Sequence, residues 1–498
     1  MTDLLDTDNV IARAKALGNS GQSDQAIDLV RSAITEQPKE GKLWHMLGIL
    51  HRIEQDSAAA LVAVEKALDF QPNNPTLNHA LARVTMEAGL PAVEQFDKAR
   101  ALAPNDGAII IGRSAAQMAS GQFDRAIGDL ELILSANPLW LEGHELLSEA
   151  RWTAGDKDAL IRSFVEALKI HPKNGALWAK CLDALFKADR FAEASHMVEE
   201  ARAILGDSRG LIMYDAICAS ELGEVEKANQ LFDALAPITE IALAVRHMRH
   251  LLRTGRIELA ARLGEAFIND PEANQIWPYI SLAWRAMGDH RWEWLDDQAG
   301  LVQTYDLADR IDTTELARCL RAMHVAKADM VGQSVRGGTQ TDGPLFARID
   351  PEIRNLRSVI QSTVQEHVAA LPAIDAAHPV LQYRSNSIAF SGSWSVRLRG
   401  KGFHTSHVHP MGWFSSAFYV DLPNEADMGA SPSGWLALGA PPPELNLDLP
   451  AVRNVEPRTG RLVIFPSIMW HGTVPFDDGE RLSVAFDVAK PATSDGAA

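Results

Sequence analysis

Apolar and small residues recur through the first half of the chain with a spacing close to 34 residues. Prolines mark the phase at Pro38, Pro72, Pro104, Pro138 and Pro172, the phase continues through Gly206, and Pro271 falls 34 residues after Pro237. Five residues before the marks stand Ala33, Ala67, Ala99, Ala167 and Ala201. Eight before stand Val30, Val64, Phe96, Leu130, Phe164 and Val198, and twelve before stand Ala26, Ala60, Ala92, Ala126 and Ala194. Six residues after two of the prolines come Trp44 and Trp178. A period of this length that carries helical spacing within it predicts a stack of identical supersecondary units.

Each unit reads as two helices. Small residues allow a close crossing, large apolar ones fill the groove, and proline stops the second helix. The pattern resembles the tetratricopeptide repeat over about 270 residues, which implies a superhelix presenting an extended surface to a peptide or protein. The stretch EANQIWPYISLAWRAMGDHRWEWLDD holds four tryptophans in a helical pattern and reads as packed core capping the array.

The pattern changes near residue 325. ADMVGQSVRGGTQTDGPLF is polar and aperiodic, and reads as a loop with a flexible Gly337-Gly338 connection. DPEIRNLRSVIQSTVQEHVAAL then carries an N-cap aspartate, a proline at the first helical position, and Ile353, Leu356, Val359, Ile360, Val364 and Val368 on one face. Beyond that helix the texture is short and β-branched or aromatic: NSIAFSGSWSVRLRG, FSSAFYVDLP, GWLALG, GRLVIFPS and RLSVAFDV, bounded by Gly, Pro, Asn and Asp. These predict a sandwich or small barrel with the helix covering one outer face.

Composition narrows the class. At 498 residues the chain needs more than one core, and 46% hydrophobic with 22% charged residues is an ordinary globular balance. A formal charge of −18 argues against nucleic acid or an anionic membrane as the main partner. The acidic start MTDLLDTDNV lacks the basic and apolar regions of a signal peptide, and no apolar run is long enough to span a bilayer. Cys181, Cys218 and Cys319 are too scattered for a disulfide framework or cysteine zinc site, so a reducing, cytoplasmic setting is expected.

The chemistry gathers in FHTSHVHPMGW. If residues 404–409 are extended, His407 and His409 face one way, roughly 6.6 Å apart at Cα, and His404 faces the other. A third ligand must come from elsewhere, and FPSIMWHGTVPF supplies His471. Ten residues later, ERLSVAF puts Arg481 and Ser483 on one face of a strand. A histidine pair alone is readily a surface feature. The distal histidine and the arginine in register with it make a metal site the stronger reading. Trp394, Trp413 and Trp470 read as barrel core or pocket wall.

Taken together, GFHTSHVHPMGWFSSAFYVDLP, GRLVIFPSIMWHGTVPF and GERLSVAFDV resemble the bacterial 2-oxoglutarate- and Fe(II)-dependent oxygenases that carry tetratricopeptide repeats, over roughly residues 330–490. QSVRGGTQT is similar to a stretch of that group as well. The resemblance implies a double-stranded β-helix (jelly roll) in which His407 and His471 hold iron. Arg481 and Ser483 would grip the distal carboxylate of 2-oxoglutarate, with O2 as the oxidant and no catalytic residue beyond the metal centre. Where that family has a carboxylate ligand this chain has His409, so the implied metal set is His407, His409 and His471. The alternative is that water or an acid such as Asp421 completes the shell.

The expected organisation is an all-α repeat solenoid over residues 1–275, a helical cap and connector over 276–345, and the all-β oxygenase domain over 346–498. A fragment beginning near residue 327 is then expected to keep turnover of 2-oxoglutarate. The repeats would present a peptide or protein side chain for hydroxylation, or serve homo-oligomer formation. Two other readings stay open: a protein-binding scaffold with an inactive barrel, and a three-histidine cupin-type metalloenzyme that does not use 2-oxoglutarate.

Overall fold

The computed structural model describes residues 6–385 and 387–491. Residues 1–5, Asn386 and 492–498, which the sequence reading placed in the acidic start, the first β-segment and the end of the last domain, lie outside the described residues. Antiparallel helix pairs run from Thr7–Asn19 with Ser23–Glu36 through to Trp277–Met287 with Arg291–Asp296. The periodic positions line the second helix of each pair. Ala26, Val30, Ala60, Val64, Phe96, Ala126, Leu130, Phe164 and Val198 are all fully enclosed. Close crossing is the reason for the small residues: a Cβ on Gly48 would sit 2.6 Å from Val64 Cγ2.

The helix Pro351–Ala369 forms as expected, and Ile353, Leu356, Ile360 and Val364 are completely buried. Asp350 stands at its N-cap, but the carboxylate accepts from Arg348 Nε at 2.8 Å instead of capping the helix. Nine strands follow the array among the described residues: β1 Gln303–Asp306, β2 Val335–Gln340, β3 Phe390–His404, β4 Gly412–Asp421, β5 Leu436–Leu438, β6 Arg453–Val455, β7 Arg461–Pro466, β8 His471–Thr473 and β9 Glu480–Ala489. They build a six-stranded sheet in the order β1-β7-β4-β9-β3-β2 and a three-stranded sheet β6-β5-β8, antiparallel throughout. This is the expected combination of a repeat superhelix and a C-terminal jelly roll.

Two features differ from the sequence reading. Both edge strands of the large sheet, β1 and β2, come from the stretch read as cap and connector. The Gly337-Gly338 pair is a β-bulge and not a flexible link: the register shifts between Arg336 and Gly338, Gly337 has φ +70°, and a Cβ on Gly338 would lie 2.5 Å from Arg397 O. The outer face of the large sheet (Phe414, Phe418, Leu462, Leu482, Val484, Phe486) shares one continuous core with Pro351–Ala369 and with the last repeats, including Trp277 and Trp284. The tryptophan-rich pair is therefore core, as expected, and it packs against the β domain.

The connector runs along the edge of the superhelix formed by the turns within each helix pair. Ile349 N–H donates to Ala88 O at 3.2 Å, Lys327 N–H donates to Thr153 O at 3.1 Å, Lys157 pairs with Asp329 at 2.7 Å, and Arg336 pairs with Asp189 at 3.4 Å. Arg357 donates to the carbonyls of Glu54 and Gln55. No helix among the described residues is long and apolar enough to cross a membrane, and all three cysteines are free.

Candidate metal centre

β3 ends at His404, and the chain then breaks from regular pairing at Thr405 and Ser406. His407 regains one isolated bridge with His471: the N–H of each donates to the carbonyl of the other at 3.0 Å. That pairing sets the two rings against each other with centroids 4.1 Å apart. His409 is fixed two residues on, where its N–H donates to Ser467 O at 2.8 Å and Gly412 N–H closes a turn onto its carbonyl. Its ring centroid lies 5.0 Å from that of His407 and 5.1 Å from that of His471. One ligand atom from each of the three histidines falls within 4.8 Å of the others.

Hydrogen bonding fixes which nitrogen each ring offers. Nδ1 of His407 lies 2.8 Å from Thr405 O, and Nδ1 of His471 lies 2.9 Å from Met469 O. Nδ1 of His409 lies 2.9 and 2.8 Å from the two carboxylate oxygens of Asp487. Every one of these partners is an acceptor, so each Nδ1 donates a proton and Nε2 is the nitrogen left to each ring for a ligand role. Burial holds His407 and His471 well below the usual histidine range, and the neighbouring imidazoles add to the effect. Three imidazoles gathered this closely are a donor set for a divalent first-row metal.

His404 is not turned away from this cluster. Its ring stacks 6.0 Å from that of His407, and Ser334 Oγ lies 3.1 Å from His404 Nδ1 and 3.2 Å from His407 Nε2. The break at Thr405 and Ser406 cancels the strict alternation that predicted opposite faces. Burial, then the charge of Arg481, then His409, push His404 down to about 3. Asp421 is elsewhere: it pairs with Arg321, and its side chain is 45% exposed.

Alternation along β9 puts Arg481, Ser483, Ala485 and Asp487 on the inner face, between the sheets, while Leu482, Val484 and Phe486 enter the outer core. Arg481 is only 2% exposed. It lies 4.9 Å over the Tyr419 ring and donates through Nη1 to Gly434 O at 2.7 Å. Its Nε is buried without a hydrogen-bond partner, the Tyr419 hydroxyl has no partner beyond this guanidinium, and no acidic side chain pairs with it among the described residues. Burial lowers its pKa, the cost of a charge kept out of water without a counterion. A dianionic ligand would relieve that cost, so the surroundings fit 2-oxoglutarate. Ser483 is 6% exposed and sits opposite Val396 and Tyr419 in the sheet.

The flanking tryptophans line walls. Trp394 lies 5.6 Å from His409, Trp413 donates to Val380 O, and Trp470, next to His471, donates to Pro278 O at 2.9 Å. Tyr279 meets Trp470 edge-on at 5.3 Å, and Arg285 donates to Gly439 O and Pro450 O. Loops around the histidine cluster thus rest on the last repeats. The sequence reading missed Asp487, Ser334 and Tyr419. Asp487 was open to detection, since positions 481, 483 and 487 share a strand face.

Comparison with known proteins finds likenesses in both the helical array and the β-rich part of the chain. Residues 392–487 match the family described as "Putative 2OG-Fe(II) oxygenase", and residues 135–212, inside the helical array, match the "Bacterial transcriptional activator domain". Human tetratricopeptide repeat protein 33 is 31% identical over 91 residues, which is 18% of this chain and 35% of that protein. The chain therefore spans about a third of the length of that relative. A tetratricopeptide repeat protein from Parabacteroides merdae aligns at 19% identity over 47% of this chain and 95% of its own, with a TM-score of 0.30. MamA from Desulfovibrio magneticus aligns at 15% identity over 35% of this chain and 99% of its own, with a TM-score of 0.31. The chain resembles tetratricopeptide-repeat-containing 2-oxoglutarate/Fe(II) oxygenases.

Proposed function

We propose that the protein is an Fe(II)- and 2-oxoglutarate-dependent dioxygenase that hydroxylates a side chain of a peptide or protein brought to it by the repeats. The observation that carries this is the pairing of two unmet needs between the same two sheets. One ligand atom from each of three imidazoles lies within 4.8 Å of the others, and a buried guanidinium lacks a counterion. His407, His409 and His471 would hold the metal, and Arg481 with Ser483 would hold the distal carboxylate of 2-oxoglutarate. Iron bound there supplies oxidative decarboxylation of 2-oxoglutarate by O2, coupled to oxidation of a substrate C–H bond.

The chain's own residues do the rest. The carbonyls of Thr405 and Met469 orient two of the rings, and burial keeps both neutral, so neither has to shed a proton when metal arrives. Arg481 fixes the far end of the co-substrate and so sets which end reaches the histidines. Trp394 packs against the His409 ring and Phe465 against that of His471. Support for a macromolecular substrate is the seating of the site against the repeats through Trp470, Tyr279 and Arg285. The test is an anaerobic titration of the full chain with Fe(II) and then 2-oxoglutarate. A visible charge-transfer band that appears only with both, and succinate production on admitting O2, is the expected result. Metal binding with no band and no succinate would remove 2-oxoglutarate from the reading.

A further inference from the structure

Three neutral imidazoles leave a bound divalent cation with its full charge, whereas a carboxylate in the set would cancel part of it. A carboxylate is present one hydrogen bond away. Both oxygens of Asp487 lie within 2.9 Å of His409 Nδ1. Its Oδ1 also accepts from Ser415 Oγ at 2.6 Å, and Ser415 in turn lies 3.0 Å from Ser467 Oγ. Ser415 and Ser467 are almost fully buried, and the Asp487 side chain is 14% exposed. The two ends of this network are tied by backbone as well: Asp487 sits opposite Ser415 across β4 and β9, and Ser467 O accepts from His409 N–H. The carboxylate is therefore held in place independently of the histidine.

Resting on the metal reading above, we propose that Asp487 is the positioning residue of the His409 ligand and supplies the negative charge its ring lacks. It does so by two means. An acceptor at Nδ1 holds the proton there and leaves Nε2 free, and a charged acceptor pulls on that proton and makes Nε2 a stronger donor. His407 and His471 face neutral carbonyls, so His409 is the one ligand of the three with a charged support. The set is in effect two imidazoles plus an imidazole–carboxylate unit.

The test uses Co(II) as the probe, titrated anaerobically into the full chain and followed by its visible ligand-field bands. The variants are Asp487→Ala, Asp487→Asn and, as a control on the site itself, His471→Ala. Asp487→Ala is expected to weaken Co(II) on the order of 10–100-fold. Asp487→Asn keeps an acceptor for Nδ1 and can donate its amide to Ser415, so it loses only part of that and shifts the bands in the same direction. His471→Ala is expected to abolish binding. If His471→Ala binds normally, the metal reading itself has failed. If His471→Ala fails to bind while Asp487→Ala stays within about threefold of the unaltered protein, only the Asp487 role is overturned. A measurement on the unaltered, metal-free chain decides the matter even where a variant does not fold. Nitrogen-15 spectra of the imidazoles should show His409 protonated at Nδ1, and a proton at Nε2 instead would overturn the proposal.

Discussion

A guanidinium enclosed by Tyr419 and the Gly434 carbonyl has surrendered its hydration without gaining a counterion. It follows that Arg481→Ala should weaken 2-oxoglutarate by about 2–5 kcal/mol, roughly thirty- to several-thousand-fold, while metal affinity changes little. Arg481→Lys should recover only part, because an ammonium keeps the charge and loses the planar fork. Ser483→Ala removes a single neutral partner and should cost about 0.5–1.5 kcal/mol. The apparent 2-oxoglutarate constant from succinate production, with iron saturating, checks all three, and an unchanged constant in Arg481→Ala would place the clamp elsewhere. The nearness of His407 and His409 was legible in the sequence because one residue separates them, whereas His471 was reached through its motif and the arginine ten residues after it. The direction of His404 was not, because it depends on where pairing with β2 stops, and a partner 70 residues away in sequence decides that.

Strand β2 shows the same limit one level up. Its polar, glycine-bearing sequence has no apolar alternation because it pairs with β3 at a sheet edge and packs beneath the repeats. His324 pins this edge, with Nδ1 2.8 Å from Thr339 Oγ1 and Nε2 3.0 Å from Ser395 Oγ. Burial lowers its pKa to about 4, and burial does the same to His247, His250 and His367. An unfolded histidine takes up a proton near 6.5, so these groups favour the folded state fully above that value. That advantage is lost as pH falls from about 6.5 toward 4. Asp296, raised to about 6 by burial, opposes the trend: what it contributes is present below the ordinary aspartate range and is lost as pH rises through about 6. The histidines lowered by burial outnumber Asp296 and predict a denaturation midpoint that falls from pH 7 to pH 5, with a shallower slope in His324→Gln. A midpoint that rises over that interval would contradict the burial of these rings. The helix pairs, by contrast, could be read directly from the chain, because their contacts are local and repeat.

At the scale of the molecule, the two halves share a core, and that alters what can be cut. A fragment beginning near residue 327 lacks β1 and the helix Thr313–Met323, whose Arg321 pairs with both Asp421 and Glu480. It also bares the apolar face that Trp277 and Ile280 cover. Such a fragment is expected to aggregate, whereas one beginning near residue 237, which retains the last two helix pairs, should stay monodisperse and bind metal. Size-exclusion chromatography with a Co(II) titration of both distinguishes the outcomes, and a well-behaved metal-binding fragment from 327 would show that the shared core is dispensable. The order of the strands carries a further consequence, for synthesis on the ribosome. Strand β9 lies in the interior of the large sheet, between β4 and β3, yet it follows every other strand of the described residues. Helix pairs can assemble one after another as they emerge, but β1-β7-β4 and β3-β2 stay two separate ribbons until β9 is released to join them. The same strand brings Arg481 and Asp487, so the nascent protein holds a finished repeat array before it can hold a finished site. A premature stop before residue 480 would leave unpaired strand edges waiting beside that array, and not merely a shorter barrel.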